Sequence, residues 1–354
     1  MGVKVSATTM QSRDLTVSAD HERVIECVDE ASGYHGIIAI HSTARGPAVG
    51  GTRVWAYPSI EDALHDVLRL SRGMSFKSAL AGLKFGGGKA VVIADNRKID
   101  REQIFRAHGR FVDTLKGRFI TGEDVGTTPA DMALVRLETP FVAGLAEGAG
   151  DPSPHTARGV FRAMQAAAAF QWRDPNLSGR RVAIQGCGHV GYHLALELHR
   201  AGALLVVADI DSANQKRVAE ATGARAVAGD AIFDADADIF APCALGGILN
   251  DATIPRLRAS IICGAANNQL AEDRHGGALK ERGIVYVPDY VANAGGIING
   301  AREIFPGGME NAADQIEAIF DTTLEILELA RNKRIPPSEA ADALAQAKLR
   351  SPRE

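Results

Sequence analysis

The pattern of apolar and polar positions divides the first part of the chain into strands and helices. Apolar runs predict strands over residues 36–41, 48–55 and 90–94. Apolar positions at three- and four-residue spacing predict a helix from Ser59 to near Gly73, and another over residues 104–115. Thr128 followed by Pro129 predicts the start of a third helix. This part of the chain is therefore expected to mix strands with helices.

In the second part of the chain, short apolar strands alternate regularly with helical stretches. The predicted strands cover residues 181–185, 204–208, 238–241, 261–263 and 285–287. A helix is predicted over residues 190–201, and the chain is expected to be helical from about residue 311. Such alternation favours a parallel sheet with helices on both faces.

Glycine and proline cluster at residues 148–154, which predicts a domain boundary. We expect one domain over residues 1–150 and a second over residues 151–304. The helices from about residue 305 are expected to pack back on the first domain or on a subunit partner.

Composition and charge exclude several classes of protein but do not assign a function. Of the 354 residues, 46% are hydrophobic and 23% charged, as in ordinary globular proteins. The formal net charge of −4 argues against nucleic acid as a partner. We expect no membrane span and no signal peptide, because no apolar run of the required length is visible. The four cysteines form no C-x-x-C pair, so no zinc site or disulfide framework is indicated and a cytoplasmic location is expected.

A G-x-G-x-x-G motif, formed by Gly186, Gly188 and Gly191, connects a predicted strand to a predicted helix. Gly186 would permit the tight turn, Gly188 would let the backbone approach a pyrophosphate, and Gly191 would let helix and strand pack closely. Asp209 ends the next predicted strand, where it would bind ribose hydroxyls and repel a 2′-phosphate. The motif therefore favours NAD over NADP, with a glycine-rich turn that binds nothing as the alternative.

Two lysines lie among glycine and apolar residues, where an ammonium group is costly to bury. Lys77 is expected on a helix, and Lys89 follows three glycines just before a predicted strand. Neighbouring ammonium groups repel each other, so one could act as a general base while the other binds a carboxylate. A P-loop is excluded because Leu83 and Ala90 occupy positions that it would require as Gly and Ser or Thr. A surface turn with solvated lysines is the other interpretation, and we adopt it for Lys84.

Glu123 and Asp124 follow a short apolar stretch. A carboxylate beside Lys89 would hold that lysine and influence its protonation. Either acid could instead be an ordinary turn or capping residue.

Five motifs together resemble the glutamate/leucine/phenylalanine/valine dehydrogenase superfamily, most closely its leucine and phenylalanine branch. They are residues 50–53 (GGTR), 74–77 (MSFK), 86–89 (GGGK), 122–126 (GEDVG) and 264–269 (GAANNQ). Their order and spacing follow the family over about residues 20–345. The resemblance implies an α/β fold with two domains, an N-terminal catalytic and oligomerisation domain followed by a Rossmann-type dinucleotide-binding domain. It also implies a homo-oligomer.

The same resemblance implies reversible, NAD-dependent oxidative deamination of an L-amino acid to a 2-oxo acid and ammonia, without a metal. By that resemblance, Lys77 would bind the substrate carboxylate, and Lys89 would activate the attacking water. Asp124 would assist proton transfer at the amino group, and the backbone of Gly50 and Gly51 would flank the substrate.

The resemblance further places Asn268 near the nicotinamide and the substrate, and Thr156 near the carboxamide. The full set of expected cofactor-binding residues is Gly186, Gly188, His189, Val190, Gly191, Asp209, Thr156, Ala244, Asn267 and Asn268.

Substrate size is suggested by small residues in the family's side-chain pocket. Val49, Gly122 and Gly300 replace the leucine, alanine and valine that are usual in the leucine branch. The wider pocket favours phenylalanine, with leucine or another branched-chain amino acid second and tryptophan less favoured. Alternatively, neighbours such as Ile297 close the space. A reductase that needs no ammonia and a non-catalytic NAD-binding regulator are further hypotheses, although the presence of both Lys77 and Lys89 argues against the regulator.

Overall fold

The computed structural model describes residues 10–16, 20–145, 150–304 and 312–351. The chain divides into two compact units, Met1–Gly150 with Lys348–Glu354 and Asp151–Ala347. Residues 148 and 149 of the predicted break, and the predicted helical start at residues 305–311, lie outside the described residues. Across the ranges that are described, no helix is long and apolar enough to cross a membrane.

The first unit is built on a mixed sheet. Its strands are β1 (Gln11–Asp14), β2 (Arg23–Asp29), β3 (Tyr34–Ser42), β4 (Ala48–Val49), β5 (Thr52–Trp55), β6 (Gly86–Ile93) and β7 (Phe119–Ile120). The spatial order is β1-β2-β3-β6-β4-β7, and β5 also pairs with β6. Strands β1, β2, β3 and β6 pair antiparallel, whereas β4 and β5 run parallel to β6. The central strand β6 thus contacts three other strands.

Helices cover both faces of this sheet. They are α1 (Ile60–Leu80), α2 (Arg101–Thr114) and α3 (Pro129–Arg136). Helix α1 begins at Ser59, whose side chain accepts a hydrogen bond from the Asp62 N–H, and it packs Ala63 and Val67 against Val91 of β6. Helix α2 packs against the opposite face, which carries Ala90 and Val92 of β6 in the larger core cluster. Alternate residues of β6 therefore face different helices.

Helix α1 ends seven residues later than the sequence predicted. Gly73 does not terminate it, and the helix continues to Leu80. A glycine inside a helix costs only about 1 kcal/mol. Burial of Phe76, Ala79 and Leu80 in the next two turns offsets that cost.

The strands of the first unit also differ from their predicted bounds. The strand predicted over residues 48–55 is divided into β4 and β5 by Gly50 and Gly51. Strand β6 begins at Gly86, so the glycines and Lys89 lie inside a strand that was predicted to start at residue 90. Glycines weaken the strand pattern in sequence, but here they permit close backbone packing that a side chain would prevent.

The second unit contains a parallel sheet. Its strands are β8 (Arg181–Gln185), β9 (Leu204–Ala208), β10 (Arg225–Ala226), β11 (Ile239–Pro242), β12 (Ile261–Ile262) and β13 (Val285–Tyr286). The spatial order is β10-β9-β8-β11-β12-β13, and every pair is parallel. The order reverses at β8, as in the Rossmann arrangement, where the crevice beyond the strand ends binds dinucleotides. The predicted α/β fold class is confirmed.

Helices occupy the remaining part of the second unit. They are α4 (Ser153–Trp172), α5 (His189–Arg200), α6 (Ser212–Thr222), α7 (Arg274–Glu281), α8 (Asp289–Ala292), α9 (Gly295–Ile304), α10 (Ala312–Glu317), α11 (Ile319–Lys333) and α12 (Pro337–Arg350), which enters the first unit at Lys348.

The C-terminal helices differ from the expectation that they pack on the first domain. Helices α10 and α11 contact α4 of the second unit. Buried residues of α11, such as Ile319 and Leu327, form the face that the periodicity predicted. The chain returns to the first unit only from Lys348, whose carbonyl accepts a hydrogen bond from the Arg45 guanidinium at 3.3 Å. Periodicity identifies the buried face of a helix but not its packing partner.

Candidate active site

Lys89 lies in the middle of β6, and only 5% of its side chain is exposed. Its side chain belongs to the sheet face that carries Val91, because alternate residues of a strand share a face. Helix α1 covers that face. The ammonium group is therefore inside the first unit rather than in a solvated surface turn, the alternative that the sequence left open.

Asp124 provides the counter-charge of Lys89. One carboxylate oxygen, Oδ2, accepts a hydrogen bond from the Lys89 ammonium, and Oδ1 accepts one from Arg53 Nε at 3.1 Å. The backbone N–H of Asp124 donates to Thr127 Oγ1 at 2.8 Å. Burial opposes the carboxylate charge, but Lys89 and Arg53 outweigh it and hold the pKa of Asp124 below its ordinary value. Asp124 is thus a carboxylate held at both oxygens.

Gly50 and Gly51 bring the backbone of the first unit close to both charged residues. A Cβ at Gly50 would overlap the Gly88 carbonyl oxygen, and one at Gly51 would overlap the Glu123 carbonyl and lie 2.9 Å from Asp124 Cβ. The Gly51 carbonyl accepts a hydrogen bond from the Ala90 N–H at 3.2 Å. Only glycine fits at these two positions, which explains the interruption between β4 and β5.

Lys77 lies near the end of α1 and is half-buried. The helix approaches β6 closely here, since a Cβ at Gly87 would overlap the backbone of Ser75. Gly87 precedes Lys89 by two residues, and Ser75 precedes Lys77 by two residues. The close packing thus brings the segments that carry the two lysines to the same region of the first unit.

The predicted pocket residues of the first unit differ in their surroundings. Val49 is buried in β4. Gly122 lies near the end of β7, and its carbonyl accepts a hydrogen bond from the Thr52 N–H at 2.8 Å. A Cβ at Gly122 would lie 3.5 Å from the Ala143 carbonyl oxygen, which is ordinary contact. Gly122 therefore leaves space that alanine would fill without strain.

A buried polar cluster lies in the first unit, beside Thr52. His108 Nδ1 is 2.9 Å from the Tyr34 hydroxyl, and His108 Nε2 is 2.7 Å from the Thr52 hydroxyl. The Thr52 and Thr121 hydroxyls are 2.6 Å apart. Burial lowers the pKa of His108 to about 3. The imidazole is therefore neutral at physiological pH.

This histidine predicts a loss of stability in acid. Unfolded histidine has a pKa near 6.5, so below about pH 6.5 the unfolded chain binds a proton that folded His108 does not bind until about pH 3. As the pH is lowered through that window, His108 should reduce the free energy of unfolding by up to about 1.4 kcal/mol per pH unit. Denaturant unfolding of His108→Asn between pH 7 and pH 4 should give a shallower slope than wild type.

The exposed His199 supplies the control, and His199→Asn should keep the wild-type slope. Burial also lowers the pKa of His41, to about 4, so part of the slope should persist in His108→Asn. An unchanged slope in His108→Asn would contradict the assignment.

The three glycines of the motif in the second unit have different surroundings. Gly186 has a φ of 98°, and a Cβ there would lie 2.8 Å from the Ala244 backbone nitrogen. A Cβ at Gly191 would overlap the Gly186 carbonyl oxygen, so α5 packs directly on the turn. Nothing lies within 4 Å of the Cβ position at Gly188. This open position fits a dinucleotide phosphate at the start of α5.

Asp209 lies beside this turn. Its Oδ2 accepts a hydrogen bond from the Cys187 N–H at 2.5 Å, and its Oδ1 accepts one from the Asp211 N–H at 2.7 Å. The carboxylate is therefore fixed next to the glycine motif. His189 is exposed and Val190 half-buried at the start of α5, and Ala244 is exposed after β11.

Asn267 and Asn268 are exposed beyond β12 and are held by different partners. The Asn293 side-chain amide donates to Asn267 Oδ1 at 2.7 Å. Asn268 has a φ of 52°, and its N–H donates to an Asp289 carboxylate oxygen at 2.6 Å. The loop conformation is thus fixed by α8 and the residue that follows it.

The remaining predicted residues of the second unit lie near the starts of two helices. The Thr156 hydroxyl, in the first turn of α4, donates to the Pro152 carbonyl at 3.0 Å. A Cβ at Gly296 would lie 2.7 Å from the Thr156 hydroxyl oxygen, so α9 starts against α4. Ile297 is half-buried, and nothing lies within 4 Å of the Cβ position at Gly300. Gly300, like Gly122, leaves side-chain space.

Sequence reasoning assigned no role to four residues that support these sites. Arg53 and Thr127 bind Asp124, while Asn293 and Asp289 hold the Asn267–Asn268 loop. Arg53 is part of the GGTR motif, which was the only signal available for it. The other three act through contacts that the sequence does not display.

Two family models match this chain. Residues 21–140 match the model described as Glu/Leu/Phe/Val dehydrogenase, dimerisation domain. Residues 207–325 match the model described as glutamate/leucine/phenylalanine/valine dehydrogenase. Together they cover most of both units.

Curated relatives match over nearly their full length. Leucine dehydrogenase of Geobacillus stearothermophilus is 50% identical over 95% of this chain and 92% of its own. Phenylalanine dehydrogenase of Caldalkalibacillus thermarum is 44% identical over 94% of this chain and 92% of its own. The crystal structure of L-tryptophan dehydrogenase from Nostoc punctiforme matches with a TM-score of 0.85 and 45% identity, over 93% of this chain and 96% of that one. The relatives thus differ in the amino acid that their names carry.

Proposed function

Because the chain belongs to the glutamate/leucine/phenylalanine/valine dehydrogenase family, we propose that it catalyses the NAD-dependent oxidative deamination of a bulky apolar L-amino acid, with phenylalanine favoured. It is an amino acid dehydrogenase of the leucine, phenylalanine, valine and tryptophan type, and the family depends on a pyridine nucleotide. The observation that carries the proposal is the ion pair between the buried Lys89 and the half-buried Asp124.

In the proposed reaction, NAD would be held by the turn at Gly188 and by Asp209, and it would supply the hydride acceptor for the α-carbon of the amino acid. Lys77 binds the α-carboxylate through its ammonium group. Lys89 acts as a base in its neutral amine form, after its ammonium proton has passed to Asp124, and then removes a proton from the water that attacks the resulting imino acid. Asp124, ionised in the resting pair because of its lowered pKa, accepts and returns protons at the amino nitrogen before ammonia leaves. The products are the 2-oxo acid, ammonia and reduced NAD.

The preference for NAD rests on Asp209. Its carboxylate is fixed beside the glycine motif, where it would accept hydrogen bonds from the ribose hydroxyls and repel a 2′-phosphate. The open position at Gly188 would admit the pyrophosphate. We assign the nicotinamide end to Thr156, Asn267 and Asn268 by resemblance to the family.

We further propose that residues 1–150 form the catalytic and oligomerisation domain, and that residues 151–304 form the NAD-binding domain. A homo-oligomer is supported by the dimerisation-domain model that matches residues 21–140. A cytoplasmic location is supported by the scattered cysteines, all four of which are free.

The direct test is stoichiometric. L-phenylalanine and NAD should yield equal amounts of reduced NAD and ammonia, and NADP should support much less turnover. In the reverse direction, reduction of phenylpyruvate should require ammonia. Reduction without ammonia would identify a ketone reductase instead, and cofactor binding without turnover of any amino acid would identify a regulator.

The substrate preference can be tested at Gly122 and Gly300. Because both positions leave room for a side chain, we expect Gly122→Ala and Gly300→Val to fold normally and to lower kcat/KM for phenylalanine relative to leucine. One methyl group in an apolar pocket changes discrimination by about 1–3 kcal/mol, or roughly tenfold or more. The ratio of the two kcat/KM values measures the effect. An unchanged ratio in both variants would show that neither residue contacts the substrate side chain.

A further inference from the structure

Arg53 is a second cation on the sheet face that carries Lys89. It lies in β5, where it pairs with Val91 of the parallel strand β6. Paired residues of neighbouring strands point to the same face, and Val91 shares its face with Lys89. The Arg53 side chain is 21% exposed. The guanidinium therefore lies under α1, close to the proposed catalytic pair.

The Arg53 side chain connects two carboxylates that belong to different elements. Its Nε donates to Asp124 Oδ1 at 3.1 Å, and its Nη1 donates to Asp66 Oδ2 at 2.8 Å. Asp66 lies on α1, and the same oxygen accepts a hydrogen bond from the Tyr57 hydroxyl at 2.7 Å. The guanidinium is therefore held by two carboxylates, by Asp124 at Nε and by Asp66 at Nη1.

Resting on the proposed function, we propose that Arg53 is a positioning residue for deamination, which holds Asp124 by Oδ1 so that Oδ2 faces Lys89. Asp66 and Tyr57 in turn hold Arg53 against α1. A carboxylate with a single donor can rotate about its Cβ–Cγ bond, whereas donors on both oxygens fix its plane. A misplacement of about 1 Å in a catalytic group can cost roughly a hundredfold in rate.

Charge balance gives Arg53 a second effect on Asp124. The group contains two anions, Asp124 and Asp66, and the cations Lys89 and Arg53, and Arg69 also lies 3.5 Å from Asp66. Without Arg53, Asp66 would keep Arg69, whereas Asp124 would keep Lys89 as its one cationic partner among the described contacts. The opposite charge of Arg53 also contributes to the lowered pKa of Asp124.

The side-chain shape explains why arginine rather than lysine occupies this position. The two hydrogen bonds leave from different nitrogens of one planar group, Nε toward Asp124 and Nη1 toward Asp66. A lysine ammonium is a single point of charge on a flexible stem and does not provide that fixed fork.

The test measures kcat, KM and the pH dependence of kcat/KM for Arg53→Gln and Asp66→Asn with L-phenylalanine and NAD. For Arg53→Gln, kcat should fall roughly 10- to 100-fold with the amino acid KM little changed. The acid limb of the pH profile of kcat/KM should move to higher pH, because loss of the guanidinium raises the pKa of the Asp124 carboxyl, which must stay ionised. Asp66→Asn, which changes no group in contact with Asp124, should lower kcat less and should add nothing in the Arg53→Gln background.

Arg106→Gln is the matched control, since Arg106 pairs with Glu138 at 2.7 Å in the same unit and lies on α2, which packs against the opposite face of the sheet. It should keep the wild-type kcat and acid limb. Wild-type kcat and an unmoved limb in Arg53→Gln would overturn the positioning role, and so would a raised KM with unchanged kcat. If Arg53→Gln fails to fold, Asp66→Asn takes its place in the test. Wild-type kcat with an unmoved acid limb, or a raised KM with unchanged kcat, in Asp66→Asn would then overturn the positioning role.

Failure of the proposed function looks different. In that case the wild-type protein would form no reduced NAD with any amino acid, and Lys89→Ala would be indistinguishable from it. That outcome would overturn the positioning role as well. Failure of the positioning role alone requires an active wild type, an inactive Lys89→Ala and an unaffected Arg53→Gln.

Discussion

Replacing Lys89 with alanine should lower kcat by about 10²- to 10⁴-fold, the range expected for the loss of a general acid–base group. The side chain is almost fully buried and bound to Asp124, so solvent supplies no equivalent group in the same place. The NAD-binding residues that we propose belong to the other unit, and the KM for NAD should therefore change little. Steady-state kinetics with L-phenylalanine and NAD measure both quantities.

Lys84→Ala provides the matched control. Lys84 lies five residues before Lys89 and is exposed, so its loss should leave kcat unchanged. Because Lys89→Ala leaves Asp124 with Arg53 as its remaining cation, some loss of stability is expected, and circular dichroism should establish that the variant is folded. A folded Lys89→Ala protein with kcat within about threefold of wild type would contradict its role as the base.

Alanine at Gly188 should separate cofactor binding from folding. The Cβ position is open and φ is −64°, so Gly188→Ala should unfold at the wild-type temperature. The added methyl group would occupy the space through which the backbone approaches the pyrophosphate. Loss of a hydrogen bond to a charged group costs about 1.5–3 kcal/mol, so the KM for NAD should rise roughly 10- to 100-fold.

Alanine at Gly191 should behave differently, because its Cβ would overlap the Gly186 carbonyl oxygen. Helix α5 would have to move away from β8, at a cost of about 1–3 kcal/mol in the free energy of unfolding. Gly277→Ala, in open space on α7, is the control for both variants. A wild-type KM for NAD in Gly188→Ala would show that no pyrophosphate lies over this residue.

The sequence could identify features that depend on local chemistry. The glycine fingerprint predicted the strand, turn and helix around Gly186 and Gly191, since each glycine has its own steric requirement there. The rarity of lysines among glycines indicated a special role for Lys89. The suggestion that a nearby carboxylate accompanies it is matched by the contact with Asp124. Each of these inferences needed only neighbours in the chain or a known motif.

Features that depend on distant packing could not be predicted. The continuation of α1 past Gly73 depends on the burial of its last turns against the sheet. The packing of α11 on α4 depends on which of several apolar faces meet. The contact of Arg53 with Asp124 joins residues 71 positions apart, and an arginine in a sequence does not reveal which carboxylate it binds.

The most direct test of the account is the kcat/KM of the purified protein for L-phenylalanine, L-tryptophan, L-leucine, L-valine and L-glutamate with NAD. The account predicts the highest value for phenylalanine, lower values for leucine and valine, and essentially no turnover of glutamate. The highest value for glutamate, or for the small side chain of valine, would contradict the proposal that Gly122 and Gly300 leave room for a bulky apolar substrate.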